Sequence, residues 1–148
     1  MMRRVALSLG IFCAAAQGED IPGVPSPARA ESLYKIHCQG CHLPDGSGFE
    51  KRHVPNMKDR VGRFLLVPEG RAYLLQVPGA AGTPISDEEL MLVTNWILWT
   101  FSRAQLPADY QPYTLAEVRE LRMMPRDDIN ARRERLLEDI NQLLSDNK

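Results

Sequence analysis

The feature that most constrains this chain is the pentapeptide Cys38-Gln39-Gly40-Cys41-His42. Two cysteines three residues apart near the end of a helix send their sulfurs off the same side of the backbone. A histidine directly after the second cysteine adds an imidazole beside them. This is the attachment pattern of a c-type haem. In it the Cys38 and Cys41 thiols reach two neighbouring vinyl groups of one porphyrin, and His42, turned beneath the ring, gives a nitrogen to the iron.

Two other uses of a close cysteine pair compete with that reading. A zinc site needs four ligands. Once Cys13 is set aside with the leader described below, the chain offers Cys38, Cys41, His37, His42 and His53, with no second pair at finger-like spacing. A thioredoxin-like pair sits at the start of a helix after a strand, where the helix dipole lowers a thiol pKa. Here the pair ends a helix. Thioether bonds would also explain why two thiols this close escape a disulfide in an oxidising compartment.

That compartment is suggested by the N-terminus. Arg3 and Arg4 precede an apolar run from Val5 to about Cys13 and then Ala14-Ala15-Ala16, the order of a secretory signal peptide. Cleavage near Ala16 is expected, with export to the periplasm. The apolar run is far shorter than the roughly 20 residues a membrane span requires, so no anchor is expected after cleavage. Asp and Glu number 19 against 18 Lys and Arg, and losing Arg3 and Arg4 makes the mature chain more acidic. Nucleic acid is therefore not an expected partner.

Hydrophobic patterning predicts an all-α architecture. Residues 17–27 form a Gly- and Pro-rich lead-in. Ser26 stands as N-cap before Pro27, and Ala30, Leu33, Tyr34, Cys38 and Cys41 share one helical face. Residues 43–58 are a loop segment, with Pro44, Asp45-Gly46, Gly48 and Pro55. Two short helical turns are expected between Val61 and Gln76. Ser86 and Glu89 match a capping box that opens a helix to about Ser102, apolar enough to be covered on most sides. Residues 103–113 are a connector. Thr114 with Glu117 suggests a second capping box, and Pro125 starts a final amphipathic helix with Ile129, Leu136, Ile140, Leu143 and Leu144 on one side. The extension from 103 to 148 is expected to pack over the 86–102 helix, and a docking or dimer contact is the competing use.

Over residues 28–102 the chain resembles the monohaem class I c-type cytochromes. Leu33 through His42 resembles that family's first helix and attachment site, with Tyr34 as the aromatic residue four before the first cysteine. Leu43 to Gly48 is similar to the turn that follows, and Ile85 to Ile97 resembles the last helix, with Trp96 at its aromatic position. The resemblance implies a cytochrome c-like fold, one covalent haem c, and core roles for Tyr34 and Trp96 where the two helices cross. It also implies a second axial ligand from a methionine before a proline, ahead of the last helix. The corresponding dipeptide here is Val77-Pro78, and no methionine lies between Lys58 and Leu90. Met57 is the leading substitute, His53 its rival, and a position without a protein ligand the third option.

Lys51, Arg52, Lys58, Arg60, Arg63 and Arg71 make the segment after the motif basic. These side chains suit haem propionates, an acidic redox partner, or simply water. The expected function is single-electron transfer between redox proteins, with a periplasmic dehydrogenase as donor and an oxidase or another cytochrome as acceptor, and no catalysis of its own. A haem that binds or transforms a small molecule is one alternative. A fixed cytochrome subunit of a larger oxidoreductase is the other.

Overall fold

A computed structural model describes residues 20–125 and 128–146. The expected signal peptide, the first residues of the lead-in and the residues directly after Pro125 lie outside the described residues. Those described are helical and contain no strand, so the fold class is all-α. No helix among them is long and apolar enough to cross a membrane.

Helix α1, Pro27–His37, opens on proline, whose fixed φ suits a first helical position and whose missing N–H would be unpaired there anyway. Ser26 occupies the N-cap position but its hydroxyl makes no capping bond, so proline alone starts this helix. After a single turn, α2 (Gln39–His42), comes a 3-10 turn, Val61–Leu66, and two short helices, α3 (Gly70–Gln76) and α4 (Pro78–Ala81).

Helix α5, Asp87–Ser102, is the axis of the molecule. Its capping box is complete: the Ser86 hydroxyl accepts from Glu89 N–H at 3.2 Å, and the Glu89 carboxylate accepts from Ser86 N–H at 3.0 Å. That helix is buried on most sides because α1 crosses it, the 61–66 turn lies against it, and α6 (Leu115–Met123) covers a further face. Tyr34 of α1 meets Trp96 and Phe101 of α5 at ring-centroid distances of 5.3 and 5.1 Å.

The extension is stitched on by buried polar bonds as well as by apolar contact. Asn95, fully buried on α5, accepts from Tyr113 N–H at 2.8 Å and donates to Tyr113 C=O at 3.0 Å. Thr114 caps α6 through Glu117 N–H at 3.3 Å. The return half of a capping box is missing, because the Glu117 carboxylate is taken by Arg71 of α3 at 2.7 and 2.8 Å. Val118 of α6 is fully buried.

Arg122, at the end of α6, donates to the carbonyls of Thr83 and Ile85 at 2.6 and 2.9 Å and to the Asp87 carboxylate at 2.9 Å. The last helix, α7 (Ile129–Asp146), is capped by the Asp128 carboxylate, which accepts from Asn130 and Ala131 N–H. It lies mainly over α3 and the 61–66 turn rather than over α5. There Leu136 and Ile140 close a second apolar cluster with Phe64, Val67 and Tyr73.

Candidate haem-attachment site

The attachment segment is made by a break in a helix. At Cys38 the backbone leaves helical geometry (φ −120°, ψ −40°), yet its N–H still donates to Tyr34 C=O at 2.9 Å. The Cys38 carbonyl then accepts from both Cys41 N–H at 3.1 Å and His42 N–H at 2.9 Å, which winds α2 into one turn. Cys38 is half-buried, Cys41 is exposed, and both thiols are free. Burial, and then the neighbouring Cys41, push the Cys38 thiol up to about 11. A thiol that stays protonated at neutral pH is a poor attacking group for disulfide exchange, which weighs against the redox-pair reading.

The chain after His42 is folded back onto it. Leu43 turns with φ +61° and Tyr34 Oη donates to its carbonyl at 2.5 Å. Gly46 and Gly48 both have φ +74°. A Cβ on Gly46 would stand 2.8 Å from the Phe101 ring, and one on Gly48 only 2.4 Å from the Pro55 carbonyl oxygen. Gly48 N–H donates to His42 C=O at 3.2 Å, and Met57 N–H donates to Gly46 C=O at 2.8 Å. Glycine at 48 therefore lets the Pro55 backbone lie directly against the turn that follows His42, and glycine at 46 lets the Phe101 ring do so.

His42 is half-buried, and its Nδ1 is buried without a hydrogen-bond partner among the described residues. Burial lowers the imidazole pKa, and the nearby Pro55 carbonyl works in the opposite direction. An imidazole that binds iron through Nε2 ordinarily gives its Nδ1–H to a carbonyl, which fixes the tautomer and the ring plane. His42 has the inward nitrogen and the adjacent carbonyl for that arrangement.

No group of three or more His, Cys, Asp or Glu side chains assembles into a metal-holding cluster among the described residues. Two thiols able to form thioether bonds and one imidazole able to bind iron are the residue types that a covalently held porphyrin needs. Ile36 (73% exposed), Leu43 and Phe49 (38% and 40%) are exposed apolar side chains close to the attachment segment in sequence.

The remaining candidates lie elsewhere. His53 is exposed with φ +58°, at the tip of a tight turn in which Phe49 and Val54 exchange hydrogen bonds at 3.0 and 3.2 Å. His37 is exposed at the end of α1. Met57 is half-buried and packs on the main apolar cluster. Arg71 is not free for a cofactor carboxylate: besides Glu117 it donates to Gln111 C=O at 2.9 Å and stacks over the Tyr113 ring at 4.1 Å. The Glu117 bonds raise its pKa further. Lys58 stands 3.9 Å from the Asp45 carboxylate, Arg52 over the Phe49 ring, Lys51 and Arg60 are exposed, and Arg63 is half-buried.

Comparison with protein-family models, curated proteins and solved structures returned no match. The site therefore has to be argued from its own residues. Sequence reasoning passed over the Pro55 carbonyl and the buried Asn95. The two glycines spaced after the motif were the available signal for the first, and the apolar excess of the 86–102 segment hid the second.

Proposed function

We propose that this chain carries one haem c, tethered through Cys38 and Cys41 with His42 on the iron, and passes single electrons between redox proteins after export to the periplasm. The observation that carries the reading is the turn 38–42 itself. It offers one exposed and one half-buried thiol and, from the same turn, an imidazole with a buried Nδ1 and the Pro55 carbonyl nearby. The wider arrangement is read as cytochrome c-like, with α1 and α5 crossing beside the haem.

When bound, the haem supplies a centre that changes charge by one electron, together with four of the iron's donors. The protein's part is positional. Cys38 and Cys41 would hold the group through thioether bonds, and His42 would give a nitrogen to the iron. The Tyr34 bond to Leu43 C=O would steady the turn that carries them. Partners would be a dehydrogenase as donor and an oxidase or another cytochrome as acceptor.

The test is to produce the chain in a host with cytochrome c maturation machinery, then denature it and measure its intact mass. One covalent haem per chain and cleavage near Ala16 are expected. Two free thiols at Cys38 and Cys41 would sink the proposal. A second reading, a haem that binds a small external molecule, is favoured by one observation: Met57 sits on the backbone segment that flanks His42.

A further inference from the structure

We infer that the Tyr34 hydroxyl is a positioning group for His42: by holding Leu43 in a backbone conformation that leucine avoids, it fixes the turn from which the imidazole is presented. This rests on the haem reading above and deepens it.

The starting point is a strained residue directly after His42. Among the described residues Leu43, His53, Asp59 and Glu69 have positive φ without being glycine. His53 and Glu69 lie in the left-handed helical region, which side chains tolerate at modest cost. Leu43 does not, because its φ of +61° is combined with a ψ of 164°. That corner of backbone space belongs almost entirely to glycine, and a residue with a Cβ stays there only when its surroundings hold it. The chain has glycine at 40, 46 and 48 but leucine here. Burial offsets little of the strain, since Leu43 is 38% exposed.

Hydrogen bonds hold it instead. The Leu43 N–H donates to Gln39 C=O at 2.9 Å, and the Leu43 carbonyl accepts from Gly46 N–H at 3.3 Å and from Tyr34 Oη at 2.5 Å. The Tyr34 bond is the shortest of the three and the one that comes from outside the turn. The Tyr34 ring is fully buried and packs on Trp96 and Phe101 of α5. Were Leu43 to relax by rotating about ψ, its carbonyl would turn away and leave a buried phenol without its acceptor, which is costly. The hydroxyl therefore ties the strained residue to the helix that forms the axis of the molecule.

His42 shares a peptide plane with Leu43. Its N–H is fixed on Cys38 C=O at 2.9 Å, and its own carbonyl accepts from Gly48 N–H at 3.2 Å. The segment that carries Gly48 back to His42 leaves through Leu43. A changed φ or ψ at Leu43 displaces that segment, and His42 with it.

The experiment uses the mature, haem-loaded chain and its Tyr34→Phe, Leu43→Gly and doubly substituted variants. Tyr34→Phe keeps the ring and removes only the hydroxyl, and Leu43→Gly removes the strain that the hydroxyl opposes. The readouts are the covalently loaded fraction, from intact mass, and the proton resonances of the ferric haem methyl groups, whose order follows the plane of the axial imidazole. Tyr34→Phe is expected to shift the ratio of held to relaxed turn by about fivefold, the worth of one neutral hydrogen bond, and to change the order of the methyl resonances. In the Leu43→Gly background the same substitution is expected to change neither readout, because the turn there carries no strain to hold.

Unchanged methyl resonances in Tyr34→Phe would overturn the inference. So would equal changes in both backgrounds, the result that lost packing alone produces. If Tyr34→Phe gives no loaded protein, loading restored in the double variant supports the inference, and a double variant that also fails overturns it. These outcomes leave the electron-carrier reading intact, whereas an unmutated chain without covalent haem overturns the inference and the reading together.

Discussion

Replacing Asn95 with leucine isolates the strongest single link between the extension and the rest of the molecule. Leucine is close to asparagine in size, so the change removes hydrogen bonds while leaving little cavity. Two backbone groups of Tyr113 lose their partners: an N–H bonded at 2.8 Å and a C=O bonded at 3.0 Å. Tyr113 and Asn95 are both buried, so water does not replace the lost partner at either group without opening the connector. An unsatisfied buried backbone group costs about 1–3 kcal/mol, so the pair predicts a loss of roughly 2–6 kcal/mol.

The weaker bond from Tyr110 Oη at 3.4 Å, which also ends on Asn95, adds little. Against a typical domain stability of about 5–15 kcal/mol this is a large fraction. Urea unfolding of the haem-loaded protein, followed by far-ultraviolet circular dichroism, measures it at unchanged m-value. A loss below about 1 kcal/mol would mean that the connector relaxes freely to water, and the argument that Asn95 anchors the extension would be wrong.

Deleting residues 114–148 removes Val118, Leu136 and Ile140, each buried and each contributing about 1.5–3 kcal/mol of apolar burial. The truncated chain should be poorly soluble or melt far below the full mature chain; equal solubility and melting temperature would show that the extension is a detachable element. Gly48→Ala combines a φ of +74° with a Cβ 2.4 Å from the Pro55 oxygen, so it should lower both stability and the yield of haem-loaded protein. An alanine variant with normal yield and melting temperature would show that the Pro55 segment has slack.

The helical class was legible because its signals are local. The Ser86 capping box, the proline at the start of α1 and the period of α5 each depend on residues within a turn or two of one another. The motif at 38–42 was legible for the same reason. What could not be read was which distant groups would meet. Glu117 sits at the capping-box position, yet its carboxylate leaves the helix end for Arg71, 46 residues away.

Arg71 looked like a candidate for a cofactor carboxylate until its partners were fixed by the tertiary fold. Loop length alone left the place of Met57 open, and its main-chain bond to Gly46 is one that no spacing rule reveals. The final helix was correctly amphipathic, but its main partners are α3 and the 61–66 turn rather than α5, since α6 already occupies that face.

The grip of Arg122 on the segment before α5 bears on the order in which the molecule becomes rigid. A chain made from its N-terminus presents Cys38, Cys41 and His42 long before residue 122 exists, and the carbonyls of Thr83 and Ile85 wait 39 and 37 residues for their donor. The attachment turn depends on bonds spanning nine residues at most, from Tyr34 to Leu43. It can therefore take shape on the emerging chain while the segment before α5 is still unfastened, so that both thiols are presented before the molecule closes.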